Sequence, residues 1–158
     1  MIEQYALGHI LARQGGRVAG AIGLWDQSRY KQMRVQAYRG SLARLRPFYN
    51  LGLRIVGARP LPPPGQSLRF AYASFICVAG NRPDIFQLLL AATYNLAAER
   101  GYAYLIAGLA DNDPLLAVAR RYRHIPYPSR LYTVCWPEGE RWRERLDGRI
   151  PYVEIATL

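Results

Sequence analysis

Between Gln27 and Pro83 the sequence has no acidic residue, yet Arg29, Lys31, Arg34, Arg39, Arg44, Arg46, Arg54, Arg59, Arg69 and Arg82 all lie there. The formal charge is +10, and the other 11 basic residues balance the 11 acids, so the excess belongs to this one segment. Lysine is scarce too: Lys31 is the one lysine among 21 basic residues. So uniform a bias can follow from base composition, which tempers any reading of each arginine as a chosen phosphate ligand.

Cysteine and histidine are almost missing. Cys77 and Cys135 each lie in an apolar, strand-like run and read as buried thiols acting as small hydrophobes. A catalytic cysteine would need a basic partner such as His124, and nothing local pairs them. With only His9 and His124 besides, no Cys/His spacing suits zinc, and no metal is expected. No uninterrupted apolar run approaches the roughly 18 residues of a membrane span. The N-terminus, MIEQYALGHILARQGG, lacks a basic leader region, and His9 interrupts its apolar stretch, so a cytoplasmic location is expected.

What is present is apolar patterning. Hydrophobic residues make up 51% of 158, enough for one real core, and the chain reads as a single domain over 1–158. ALGHILARQGGRVAGAIGLWD reads as a hairpin turning at Gly15-Gly16, with its second run continuing toward RYKQMRVQAYRG. In SLARLRPFYNLGLRIVG, the residues Leu42, Leu45, Phe48, Leu53 and Val56 recur at helical spacing, with Ser41 as N-cap and Pro47 as kink or late start. ARPLPPPGQSL is a stiff loop, and the basic helix and proline stretch form an insertion at about 27–68.

RFAYASFICVAG reads as a strand buried on both faces. DIFQLLLAATYNLAAERG reads as a helix stopping at Gly101, and YAYLIAGLA as a second buried strand, a βαβ unit with parallel strands. DPLLAVARRYR predicts a shorter helix capped by Asp113. SRLYTVCW and PYVEIATL predict closing strands around a short polar helix in EGERWRERLDG. The fold class is α/β: a single-domain, mixed, mainly antiparallel sheet with a central βαβ unit.

This order of elements resembles the GCN5-related N-acetyltransferase (GNAT) superfamily, most closely in SFICVAG, in LLLAATYNLAAERGYAYLIAGLADND and in YRHIPY. The chain is similar to a divergent member, or to a C-terminal portion lacking the family's first strand and two helices. The resemblance implies acyl transfer from acetyl-CoA, or another acyl-CoA, to a small-molecule or peptide amine acceptor, with the pantetheine arm beside the central strand. By that resemblance Tyr122 is the general acid toward the departing thiolate, and Val78, Gly80, Asn81 and Arg82 form the cofactor loop. Glu154 and Asp26 are candidate bases because they border apolar runs.

The loop departs from the family's V-x-P-x-x-R-x-x-G-x-G. Gly80, Pro83, Phe86 and Leu88 stand at its proline, arginine and glycine positions, and Asp84 puts a carboxylate where phosphate would sit. The alternative for the loop is a plain helix start, with Asn81 as cap and Pro83 and Asp84 in the first turn. Two other functions follow from these departures. One is a non-catalytic, GNAT-derived module for binding or homo-oligomerisation. The other is a binder of an anionic partner, membrane or nucleic acid, through the basic 27–83 segment.

Overall fold

Gly15 and Gly16 reverse the chain with φ of 57° and 78°, the backbone that a tight hairpin turn demands and glycine adopts without strain. The computed structural model describes residues 1–4, 8–57, 59–132, 134–139, 141, 145 and 147–157. In chain order, strand β1 spans Ile2–Gln4, β2 His9–Gln14 and β3 Arg17–Trp25; helix α1 spans Gly40–Ile55 and strand β4 Phe70–Val78. Helix α2 is Pro83–Glu99, strand β5 Tyr104–Ala107 and helix α3 Leu116–Ala119.

The sheet order follows the chain, β1-β2-β3-β4-β5. The first three pairings are antiparallel, and β4 with β5 is parallel, joined by α2 as the crossover. The mixed, mainly antiparallel sheet and the βαβ unit are as the sequence predicts. β1 is an addition: no sequence signal marked it, and it pairs antiparallel with β2.

Alternation in β4 sends Ala71 and Ala73 to the face covered by α2, and Phe70 and Tyr72 to the other. On the α2 face, Ile85, Phe86, Leu89, Leu90, Leu96 and Ala97 pack on Ile10, Ile22 and Ala71 and on Val118 of α3. These α2 positions recur every three or four residues, which is one helical stripe. Thr93 sits in that stripe fully buried, its hydroxyl donating to the Leu89 carbonyl at 2.8 Å. The stop at Gly101 is a two-bond C-cap: Tyr102 N–H donates to the Ala97 carbonyl and Gly101 N–H to that of Ala98, both at 2.9 Å. Arg69 adds a positive charge there, donating to the Arg100 carbonyl at 3.2 Å, where the helix dipole is negative.

Five expectations need correction. β5 is a sheet edge and only partly buried, because nothing pairs beyond it among the described residues. The described residues of SRLYTVCW and PYVEIATL hold no strand; the second instead ends in a single 3-10 turn, Ile155–Thr157. Cys77 and Cys135 are exposed: Cys77 points outward from β4. The N-cap of α1 is Arg39 rather than Ser41, with no side-chain cap, and Pro47 lies inside that helix. The four-residue α3 is capped by Leu115 rather than Asp113, whose carboxylate instead accepts from Leu115 N–H at 2.8 Å. The polar helix expected in EGERWRERLDG falls mostly outside the described residues. Among the described residues, no helix is long and apolar enough to cross a membrane.

Candidate functional site

Parallel pairing between β4 and β5 stops at Ala73 opposite Ala107. Just beyond, β4 bulges: Ala21 to Gly23 on β3 lies against Cys77 to Ser74, one residue more, and Phe75 takes a left-handed φ of 52°. The β4–β5 ladder therefore ends here, while β4 runs on to Val78. An edge amide freed by a bulge needs a partner. Here Phe75 N–H donates to Glu154 Oε2 at 2.5 Å. Tyr152 donates its hydroxyl to the same oxygen at 2.6 Å, and Ala156 N–H donates to Glu154 Oε1 at 3.0 Å. Gln27, buried, donates its side-chain amide to the Ala156 carbonyl. On β5's side, Ile155 packs so closely on Gly108 that a Cβ there would lie 2.8 Å from the Ile155 Cβ. The C-terminal segment thus touches both β4, at Phe75, and the residue just after β5, Gly108.

Burial, and then the Glu154 carboxylate, pushes the Tyr152 phenol up to about 12. The sign is that of a raised acid: an unfolded tyrosine ionises near pH 10, the folded one does not, so stability present below pH 10 is lost as pH rises toward 12. Urea unfolding at about pH 9 and about pH 11 should show this loss, and Tyr152→Phe should make it shallower. An identical loss in the variant would place the alkaline sensitivity elsewhere.

Val78, Gly80, Asn81 and Arg82 form the junction between β4 and α2. Val78 is buried and paired with Gly20; Ala79–Asn81 make a 3-10 turn in which Gly80 and Asn81 have φ of 61° and 47°. Asn81 is not the helix cap, because its left-handed backbone precedes the start. Arg82 holds the N-cap position without a side-chain cap, and Pro83 opens the helix. Arg82 grips Asp84 with two bonds, Nε to Oδ1 at 3.1 Å and Nη2 to Oδ2 at 2.5 Å, and donates from Nη1 to Gln14 Oε1 at 2.7 Å. Arg82 first, and then the amides of Ile85 and of Asp84 itself, hold the Asp84 carboxyl below the usual carboxylate range. Those are the two orphan amides of the first turn, since Pro83 has none and Phe86 N–H already reaches the Arg82 carbonyl at 3.1 Å.

A cleft of about 180 Å³ beside this junction is lined by Ile2, Ala12, Gln14, Arg82, Asp84 and Ile85. It falls short of the roughly 300 Å³ at which ligand pockets usually begin. A concavity of about 630 Å³ is lined only by one stretch of α1, Gly40–Leu45, well away from any of these groups in the chain.

Tyr122 is half-buried and rests on Tyr94 of α2, ring centroids 5.7 Å apart, against the main core. The Nδ1 of His124 lies 2.8 Å from the Tyr122 carbonyl oxygen. Asp26 accepts from Tyr102 Oη and from Ser28 N–H, each at 2.8 Å. Burial pushes its carboxyl up, but those bonds and Arg69 outweigh it and the net shift is down. Asp26 is a structural tie from the end of β3 to the turn before β5. Of the two candidate carboxylates, Glu154 alone reaches the opening beside β4. Its partner Phe75 and the neighbouring Gln27–Ala156 bond carried no local signal, since contacts across 79 and 129 residues leave no spacing to read.

The basic insertion is an arm. Residues 33–35 pair back on 65–68, with Leu68 N–H on the Met33 carbonyl and Gly65 N–H on that of Val35, each at 2.8 Å. α1 rides beyond that ribbon on the proline loop, where Asn50 bonds both the N–H and the carbonyl of Leu61 at 2.7 and 3.1 Å. Tyr38 adds a bond to the Pro62 carbonyl at 2.7 Å. No residue of α1 is buried. Comparison with family models, with curated proteins and with solved structures finds no match for this chain.

Proposed function

We propose that this chain is a non-catalytic, GNAT-derived binding module, acting in the cytoplasm, in which its own side chains take the contacts an acyl-CoA would need. The Arg82–Asp84 pair at the start of α2 carries this reading. A pyrophosphate requires free amides and uncommitted positive charge at a helix N-terminus. Here Pro83 offers no amide, Asp84 sets a carboxylate in the first turn, and Arg82 is committed to that carboxylate. The residues present therefore do not fit that group. The Phe75 amide at the β4 bulge is likewise taken, by Glu154.

The opening between β4 and β5 past Ala73 and Ala107 favours a second reading, acyl-CoA-dependent N-acyl transfer with Tyr122 as the acid. Calorimetry with millimolar acetyl-CoA separates the two. The expected result is no heat with the parent chain, and weak binding in Asp84→Asn, which releases Arg82 and removes the repelling carboxylate. Heat with the parent chain, abolished by Arg82→Ala, would overturn the non-catalytic reading in favour of the enzyme.

A further inference from the structure

The arm presents an apolar helix face to solvent. Phe48 is 71% exposed, Leu51 58% and Ile55 78%, with Leu45 and Val56 exposed alongside. At about 100° per residue, Phe48, Leu51 and Ile55 fall within about 60° of one another, and Leu45 and Val56 continue the same stripe. The inward side of α1, Leu42, Arg46, Asn50 and Leu53, is the half-buried one that meets the proline loop. The outward stripe therefore has no partner among the described residues; exposed Arg44 lies within it and exposed Arg54 beside it. No acid lies anywhere in 27–83 to answer them.

From this placement we infer that α1 docks in the plane of an anionic lipid surface, its apolar stripe among the acyl chains and its arginines on the headgroups. The inference rests on the binding-module reading and names its partner. Both halves of the chemistry are required. Apolar side chains at the centre of the face have no use for a nucleic-acid backbone, which is met by charge alone. A second copy of the chain would bring Arg44 and Arg54 of both molecules to one seam, with no carboxylate in the segment to pair them. A bilayer with acidic headgroups satisfies the stripe and the charge together. Arg44, which lies within the stripe, reaches the headgroups by extending its stem along the apolar surface.

The test is co-sedimentation of the full chain with vesicles of phosphatidylcholine containing about 30% phosphatidylglycerol, against phosphatidylcholine alone. Binding is expected to the anionic vesicles only. It should weaken by about tenfold or more from about 0.1 to about 1 M salt, as the Debye length shortens from about 10 to about 3 Å. The double variant Phe48→Ser/Ile55→Ser should bind about tenfold more weakly at low salt, and Arg44→Gln/Arg54→Gln should lose most of the salt dependence. All four positions are exposed, so an unchanged urea midpoint verifies that each variant folds. No binding, or equal binding to neutral vesicles, would overturn the inference. So would duplex DNA binding that the arginine variant abolishes and the apolar variant spares, or a parent dimer in light scattering that Phe48→Ser dissociates. Acetyl-CoA calorimetry on the same samples tells the two failures apart. Heat there refutes the binding-module reading, whereas silence there with no vesicle binding refutes the lipid partner alone.

Discussion

Replacing Phe86 by alanine is expected to lower the free energy of unfolding by about 3–5 kcal/mol. The ring sits in the first turn of α2 with no exposed surface, inside the cluster of Ile10, Ile22, Ala71, Leu89 and Val118. Truncation removes the transfer free energy of a ring and leaves a void. Strands β2 to β4 on one side and α3 on the other hold that void open, because the sheet cannot move in without breaking its ladder. Urea unfolding should show a lower midpoint at unchanged m. Leu88→Ala, two residues along on the outward side and 58% exposed, is the control and should stay within about 0.5 kcal/mol. Equal effects at the two positions would mean that α2 does not pack by this stripe.

Gly20→Val is expected to cost about 1–3 kcal/mol by overpacking. A Cβ at Gly20 would lie 2.9 Å from Leu89 Cδ1, 3.1 Å from Ile85 Cγ2 and 3.1 Å from the Cys77 carbonyl oxygen. The leucine tip can swing away. The carbonyl cannot, because Gly20 is registered with Val78 in the β3–β4 ladder. The added volume must then lift α2 from the sheet exactly where its first turns meet β3. Urea unfolding measures the cost, and native-state hydrogen exchange should show α2 amides losing protection first. A variant as stable as the parent would show that α2 and β3 are less closely apposed than these distances state.

The same residues show what was readable beforehand. The helix bearing Phe86 was legible from the run DIFQLLLAATYNLAAERG, but which of its faces would be core was not. Gly20 was legible only as part of a hairpin, since what makes it indispensable is a helix more than sixty residues further on. At the junction, sequence already placed Arg82, Pro83 and Asp84 where a phosphate-binding loop would need other residues. The capping role assigned to Asn81 failed because backbone conformation, a left-handed φ of 47°, decides the cap before side-chain type does. The terminal PYVEIATL patterned as a strand, yet it became a clip. Alternation says which residues are apolar, and the partner decides whether they pair or pack.

By itself, sequence determined the hairpin at Gly15-Gly16, the βαβ unit, the stop at Gly101 and the confinement of all net charge to one acid-free insertion. These depend on local rules: glycine's access to positive φ, the period of apolar residues, and charge counting. Tertiary structure alone decided that Phe75 would bulge and receive Glu154, that Cys77 would face outward, and that α1 would stand off the sheet with its apolar stripe bare. Each of those turns on which distant group arrives to satisfy a backbone amide or cover a face, and no local pattern encodes that arrival.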